Sequence, residues 1–550
     1  MPMRQIPQLL SPRHYAPALV LLILIGSIVA ARELGPGWWL VAAIAAALIA
    51  LGVYDLLQTS HAIRRNYPIV GNIRWLVEAI RPELRQYLFE SETEATPFSR
   101  AQRSLVYQRA KGVEDARPFG TEQDVYGTGY EWVNHSMQPR TIADTDFRVK
   151  IGGERCTQPY EASLLNISAM SFGSLSANAI RALNRGAQLG GFAHDSGEGS
   201  ISRYHRPETA GEPGGDLIWE IASGYFGCRD EQGRFDPDKF ARQACTPQVK
   251  MIEIKLSQGA KPGHGGMLPA PKVTAEIAEA RGVPQGVDCI SPSRHSAFST
   301  PVELLEFIAR LREMSGGKPT GFKFALGHPW EFFGICKAMR ETGLLPDFIV
   351  VDGGEGGTGA APLEFADHIG TPLQEALMLV QNTLVGLNLR DRIRIGASGK
   401  IISAFDMART LALGADWCNA ARGFMFALGC VQSQSCHTGR CPTGIATQDK
   451  SRQRALVVPD KAQRVASFHR HTLHALAELV GAAGLSHPSD LKPHHIVRRV
   501  HHNEIRLLSN LFKFLAPGEL LVNPSAHAVY EMYWPMASAH SFDPQGLANP

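Results

Sequence analysis

The stretch Met251–Gly266, MIEIKLSQGAKPGHGG, decides how this chain is read. Met251–Leu256 is a short run with two isoleucines, the composition of a strand buried on both faces. A glycine-rich turn carrying Gln258, Lys261 and His264 follows it directly. The pattern recurs. Further candidate strands are Ser163–Ser168, Gly191–Ala193, Val287–Ser291, Gly321–Leu326, Phe348–Asp352, Ile393–Ala397 and Trp417–Ala420. Amphipathic helices are expected near Ser176–Leu189, Trp330–Thr342, Leu373–Leu389 and Ala404–Leu413. Another opens at Thr300-Pro301-Val302-Glu303, with a threonine N-cap, proline at the first helical position and a capping-box glutamate. Alternation of this kind implies a parallel sheet. Eight units over about 290 residues fit an α/β protein built on a closed (β/α)8 TIM barrel better than an open sheet.

Barrels of this type carry their chemistry just beyond the strand C-termini. Those positions here read Ala169-Met170-Ser171-Phe172-Gly173-Ser174, Asp195-Ser196-Gly197-Glu198-Gly199, and Asp352-Gly353-Gly354-Glu355-Gly356-Gly357-Thr358-Gly359. The last two turns are Ala397-Ser398-Gly399-Lys400 and Ala421-Arg422-Gly423. Glycine at a strand end lets backbone amides approach a ligand. Turns after the seventh and eighth strands are where such barrels hold phosphate. One such turn is only a tight connection; six together favour a cofactor pocket.

Composition sets the bounds. The chain has 550 residues, 44% hydrophobic and 19% charged, enough to bury a large core. Its 55 basic and 52 acidic residues give a net charge of +3, which gives no support to a nucleic-acid partner held by phosphate neutralisation. Nine cysteines are far too few for a disulfide-stapled scaffold.

The N-terminus differs from the rest. Ala16–Ala31 and Trp38–Val53 are uncharged apolar runs joined through Gly35-Pro36-Gly37, with Tyr15, Trp38, Trp39 and Tyr54 where interfacial aromatics belong. A signal peptide is the rival reading for the first run, but cleavage after Ala31 leaves the second span in place. A transmembrane hairpin is therefore expected. Arg4 and Arg13 precede it and His61, Arg64 and Arg65 follow it, which places both ends and the catalytic domain in the cytoplasm. The expected order is a cytoplasmic segment 1–15, a hairpin 16–57 with helices 16–33 and 37–56, and a connecting or wrapping region 58–155. The barrel 156–450 and a helical extension 451–550 follow. The extension's histidines, among them His469, His471 and His474, lack a ligand spacing and are read as lying on solvated helix faces.

Cys430, Cys436 and Cys441 form a C-x5-C-x4-C motif followed by proline. Their spacing suits an iron–sulfur cluster with three thiolate ligands, a zinc ion completed by His437, or plain structural cysteines. Cys418, on the eighth strand, is an outlying candidate for a fourth ligand.

The motifs ISAMSFGS, SGEG, ASGYFG, QGAKPGHGG, DGGEGGTGAAP and C-x5-C-x4-C-P-x-GIATQ resemble, in this order, the FMN-binding central domain of glutamate synthase. The likeness covers about residues 166 to 448. It implies FMN in the barrel mouth, reduced flavin delivering hydride to 2-iminoglutarate, and a 3Fe-4S cluster on Cys430, Cys436 and Cys441. By the same resemblance Met170, Ser171 and Gly173 form a flavin-contacting loop, and Lys255 lies near the flavin pyrimidine edge. Gln258 and Lys261 would hold 2-oxoglutarate, and Glu198 would handle a proton or ammonia near the reacting carbon. Gly354, Gly357, Thr358 and Gly359 would line the cofactor. Gly399, Ala421 and Arg422 would hold its phosphate.

Some features depart from that family. No glutaminase domain fits before the barrel, no large β-helix domain follows it, and no separate G-x-G-x-x-G nucleotide domain is visible. His264 stands where the family carries glutamate, and Ala421-Arg422 replaces its Gly-Ser. The expected activity is glutamate formation from 2-oxoglutarate and ammonia, with electrons from ferredoxin or an NAD(P)H-oxidising subunit and ammonia free or from a partner glutaminase. Alternatives are a related amine, as in N-methylglutamate formation, membrane-linked oxidation of another acid, or a non-catalytic membrane scaffold.

Overall fold

The computed structural model describes residues 14–94, 97–207 and 213–546. Arg4 and Arg13, on which the expected orientation of the hairpin partly rests, lie outside them. The chain falls into two compact units, one up to Ser91 and one from Glu92 onward. The segment 58–155 is divided between them.

In the first unit, α1 (Tyr15–Glu33) and α2 (Trp38–Leu57) pack on one another. Both are long and apolar enough to cross a membrane. The residues they bury are mostly small, among them Ser27, Ala31, Ala42, Ala45 and Gly52, so the two backbones approach closely while leucine and isoleucine side chains stay outside. Two shorter helices follow, α3 (Ala62–Asn66) and α4 (Gly71–Leu84), the latter running into a π-turn over Arg85–Phe89.

The second unit is built on a closed parallel barrel. Its strands are β1 (Leu165–Ile167), β2 (His194–Asp195), β3 (Leu217–Ile221), β4 (Val249–Lys255), β5 (Thr320–Phe324), β6 (Phe348–Asp352), β7 (Arg394–Ser398) and β8 (Trp417–Ala420). Closure is made by β8 on β1, with Cys418 opposite Leu165 and Ala420 opposite Ile167. The helix Pro301–Met314 starts as its sequence requires: Thr300 Oγ1 accepts from the Glu303 amide at 3.2 Å, and Glu303 Oε2 accepts from the Thr300 amide at 3.1 Å.

The number of barrel strands is as expected, but their membership is not. The expected strand Val287–Ser291 stands outside the barrel, where Cys289–Ile290 pairs antiparallel with Met267–Leu268 in an excursion after β4. The barrel's third strand is Leu217–Ile221. Glu220 interrupts its apolar run, yet that carboxylate is buried and ion-paired, 3.0 Å from Lys323 Nζ and 3.3 Å from Lys255 Nζ. The second strand lies just beyond Gly191–Ala193.

The C-terminal extension is helical only in part. The helix Val458–Ala482 packs on the helices Ala177–Gly190 and Arg100–Lys111. Beyond it, Ile496–His501 and Glu504–Leu507 form a three-stranded antiparallel sheet with Glu131–Val133. The β-branched residues Ile496, Val497 and Val500 favour the strand there. His469 departs from a solvated face: it is buried, its Nε2 lies 2.8 Å from Ser163 Oγ, and its ring stacks on Phe192. His474, two-thirds along the same helix, is exposed.

Candidate active site

The charges at the barrel mouth begin with Lys255, the last residue of β4. Its Nζ donates to Glu198 Oε2 at 2.7 Å and to Gln258 Oε1 at 3.2 Å, and it lies 3.3 Å from Glu220 Oε1. His295 fixes the backbone beneath it. Its Nε2 donates to the Lys255 carbonyl at 2.9 Å, its Nδ1 lies 3.1 Å from the Tyr225 hydroxyl, and its ring stacks on Phe298. Burial lowers the pKa of His295 to about 4, so it stays neutral and keeps that tautomer.

Burial on its own would raise the Glu198 carboxyl. Lys255 and Lys261 outweigh it and bring the pKa down to about 2. Burial likewise opposes the Lys255 ammonium, but Glu198 and Glu220 carry its pKa above the ordinary lysine value. Lys261 falls below that value, because burial there exceeds the attraction of Glu198. A cavity of about 30 Å³ lies between these groups, lined by Glu198, Lys255, Gln258, Lys261, His264 and Gly266 among others. Gly266 lets the loop approach Glu198, since a Cβ there would stand 2.8 Å from Glu198 Oε1 and displace the carboxylate.

Deeper in the barrel, Asp195, Glu220 and Glu253 bring carboxylate oxygens within 4.8 Å of one another. Lys323 lies 3.0 Å from Glu220 and 3.9 Å from Glu253. Burial, with Glu220 nearby, raises Asp195 to about 7; burial, with Asp195 nearby, raises Glu253 well above the carboxylate range.

The glycine-rich loops pack as a unit. Asp352 Oδ2 accepts from the Gly259 amide at 2.8 Å, and its Oδ1 accepts from the Ser398 hydroxyl, so the loops after β4, β6 and β7 share one anchor. A Cβ on Gly259 would lie 1.8 Å from the Gly353 carbonyl, and one on Gly354 would lie 2.6 Å from the Gly370 carbonyl. Arg422 Nη2 donates to the Thr358 carbonyl at 2.8 Å, and Gly357 stands beside its guanidinium. Gly359 has open space where a Cβ would sit. Ala421 and Arg422 lie at the start of the helix after β8, and Gly399 directly follows β7. Met170 is buried, Ser171 Oγ accepts from the Gly199 amide at 3.2 Å, and Gly173 takes a positive φ of 105°. This cradle of glycines, with the Arg422 guanidinium at one end, fits a phosphorylated flavin.

The three cysteines share one neighbourhood. Burial raises Cys430 to about 11, and Cys436 and Cys441 add to that rise. Cys441 is lowered: burial is outweighed by the Ala446 amide, the Thr443 hydroxyl and amide, and the Ile445 amide. Amides that favour a thiolate suit a thiolate-held cluster. Tyr107 reaches in from the helix Arg100–Lys111, donating to the Cys430 carbonyl at 2.5 Å, and Lys272 Nζ donates to the His437 carbonyl at 2.6 Å. The motif is tied to the flavin-side loop, since Gln448 Nε2 donates to the Gly173 and Leu175 carbonyls at 3.0 Å. Cys418 is buried on β8, and its charged neighbours are Asp406 and Arg409 rather than these cysteines.

Glu220, His295 and Arg281 are the site residues that the sequence reading passed over. Arg281 Nη2 donates to the Phe172 carbonyl at 3.3 Å from the excursion after β4, and its charge acts on Glu198. No motif flags Arg281 or His295. Glu220 had a signal, a lone acid within an apolar run.

The mouth of this closed α/β barrel gathers Lys255, Lys261 and Glu198, and comparison with known proteins gives the class of protein. Residues 135–486 match the conserved region in glutamate synthase. The glutamate synthase large subunit-like protein YerD of Bacillus subtilis (strain 168) is 37% identical over 500 residues, covering 84% of this chain and 94% of that protein. An archaeal glutamate synthase (NADPH) of Methanocaldococcus jannaschii is 34% identical over 365 residues, 66% of each. The glutamate synthase (NADPH) large chain of B. subtilis is 32% identical over 340 residues, only 21% of its length. The chain belongs to the glutamate synthase family, oxidoreductases acting on CH–NH2 donors.

Proposed function

We propose that the protein reduces 2-iminoglutarate, formed from 2-oxoglutarate and ammonia, to glutamate. The observation that carries this reading is the Glu198–Lys255–Gln258 contact with Lys261 on the same cavity. When bound, FMN would supply the hydride and a 3Fe-4S cluster the electrons. Arg422 and the turns at Gly354–Gly359 and Gly399, together with Met170, Ser171 and Gly173, would hold the flavin, and Cys430, Cys436 and Cys441 would hold the cluster.

The chain's own residues divide the remaining work. Lys261 pairs with a substrate carboxylate and, as a stronger acid than a free lysine, is the local proton donor. Gln258 orients the substrate from the same turn. Glu198 stays anionic and accepts N–H bonds from ammonia or the iminium, which makes it an orienting acceptor rather than an acid. Lys255 stays cationic beside it and stabilises negative charge. The electrons would come from ferredoxin or an NAD(P)H-oxidising subunit, and the ammonia from solution or a glutaminase. We further propose that α1 and α2 span a membrane as a hairpin with the barrel on the cytoplasmic side, supported by their length, apolarity and exposed side chains.

The test is a visible spectrum of the detergent-purified protein under anaerobic conditions, reduced chemically and mixed with 2-oxoglutarate and ammonium. Flavin bands, a broad iron–sulfur shoulder, reoxidation and glutamate as product are expected. Both chromophores without reoxidation would overturn the substrate and direct the search to other amines, methylamine first.

A further inference from the structure

The helix α4 has no role in the chemistry, yet its sequence is strongly patterned. Ile73, Leu76, Val77, Ile80 and Leu84 fall on an arc about 100° wide at 3.6 residues per turn. Arg74, Glu78, Arg81 and Arg85 fall on the neighbouring arc. Pro82 interrupts the helical hydrogen bonding, and the π-turn over Arg85–Phe89 carries Tyr87 and Leu88 onward. The apolar arc is not core: Ile73, Leu76, Ile80, Tyr87 and Leu88 are between 43% and 68% exposed. A water-soluble surface rarely leaves so much contiguous apolar area open.

The start of α4 is fixed to the end of α2. Asp55, buried in the last turn of α2, accepts from the Ile69 amide at 2.9 Å and from Asn72 Nδ2 at 2.5 Å. That clasp holds Ile69 at φ 68°, a backbone region that a β-branched residue adopts only under constraint. Gly71 closes the turn, since a Cβ there would lie 3.1 Å from Arg64 Cα. The Arg64 guanidinium sits over the Trp75 ring at 5.2 Å, joining α3 to the first turns of α4. So α4 leaves from the level at which α2 ends. Between residues 61 and 89 there are five arginines and two glutamates, a net charge of +3.

We infer that α4 and its π-turn lie in the membrane–water interface, with the Ile73–Leu76–Ile80 face among acyl chains and the arginine arc among anionic headgroups. The occupant of the apolar face is lipid. Three observations favour it over protein: the clasp to the end of a spanning helix, the basic residues along one edge of the apolar arc, and an aromatic, Tyr87, at the far end of the segment. The inference rests on the hairpin reading above and deepens it, making the anchor a hairpin with a surface strut.

The test is photo-crosslinking of the full chain in nanodiscs of phosphatidylethanolamine and phosphatidylglycerol. A benzophenone side chain is placed at Leu76, at Ile80 or, as an internal reference, at Leu22 of α1, and adducts are read by mass spectrometry. Phospholipid adducts at all three positions are expected. Arg74→Glu with Arg81→Glu should lower the Leu76 adduct severalfold in these discs and little in neutral phosphatidylcholine discs. Lipid at Leu22 with only protein adducts at Leu76 and Ile80, to the barrel or to a second copy, would overturn the strut and leave the hairpin standing. Lipid at none of the three would overturn the hairpin as well.

Discussion

The Nζ of Lys255 donates to Glu198 Oε2 across 2.7 Å, inside a cavity too small for bulk water to separate them. Neither residue is replaceable by its neighbours. Glu220 is the other carboxylate within reach of Lys255, and Lys323 already pairs with it at 3.0 Å. In Glu198→Gln the cation keeps Glu220, so the fold and cofactor binding should persist, while the negative charge that favours a substrate N–H or iminium is lost and only one, neutral acceptor oxygen is left. Steady-state turnover of 2-oxoglutarate with ammonia should fall by about 100-fold, the scale on which a misplaced reacting group costs rate. An unchanged flavin spectrum would separate this loss from misfolding, and near-normal turnover would remove Glu198 from the proposed mechanism.

Lys261 differs from Lys255 in being only partly enclosed, with burial drawing its pKa down. Lys261→Ala should therefore act on substrate rather than on structure. The KM for 2-oxoglutarate should rise by about tenfold or more, as expected for a lost charge-assisted bond of about 1.5–3 kcal/mol. Flavin content should match that of the parent protein, as measured by absorbance after denaturation.

The buried acids predict an unusual stability profile. Glu198, lowered from 4.5 to about 2, contributes stability that is present above pH 4.5 and lost as pH falls towards 2. Asp195 has the opposite sign: raised from 3.8 to about 7, it contributes stability below pH 3.8 that is lost as pH rises through 7. In Asp195→Asn the bond accepted from the Gly197 amide at 2.9 Å is kept, because Oδ1 remains. That variant should be more stable than the parent at pH 8, by about 4 kcal/mol and hence with a higher melting temperature, with the gap narrowing towards pH 4. Paired thermal melts at pH 4, 6 and 8 read this directly. A constant gap would mean that Asp195 does not titrate in this range.

The parts legible in the sequence were those where local pattern and tertiary context agree. Apolar runs ending in glycine turns located most barrel strands, and the Thr300–Glu303 cap was readable because its partners are three residues apart. Leu217–Ile221 was missed because Glu220 looks solvent-facing until Lys255 and Lys323, which come from other strands, surround it. Val287–Ser291 misled in the opposite way: β-branched composition marks a strand but not the sheet it joins. In the site, the motif residues Glu198, Lys255 and Gln258 are brought together. His295 and Arg281 act through backbone carbonyls, an interaction with no side-chain signature in sequence.

The cysteine motif separates cluster loss from flavin loss. Cys436 is half-buried, and its neighbours Cys430 and Cys441 are held by the Tyr107 contact and by backbone amides respectively. Cys436→Ser should remove the iron–sulfur shoulder and most of the iron measured by colorimetric assay. The flavin bands should remain, because Arg422 and the glycine turns lie on other loops. Full iron content in the variant would rule out Cys436 as a ligand.

Glu131 offers a prediction remote from the chemistry. Its Oε2 lies 2.7 Å from Arg409 Nη1 and its Oε1 lies 2.6 Å from Arg498 Nη2, so one carboxylate joins the helix Ala404–Ala412 to the C-terminal sheet. The carboxylate side chain is only 7% exposed, whereas the arginines are 23% and 21% exposed. Breaking a fully buried pair costs about 3–5 kcal/mol, and partial solvation of both guanidiniums reduces that figure. Glu131→Gln should therefore lower stability by about 2 kcal/mol in urea unfolding. The visible spectrum and turnover should stay at parent values in the absence of denaturant, because no mouth residue contacts Glu131 in the ion-pair network described. If turnover fell in step with stability, the C-terminal sheet would be coupled to the loops after β6 and β7, and Gln374, which accepts from Arg498 Nη2, would be the residue to vary next.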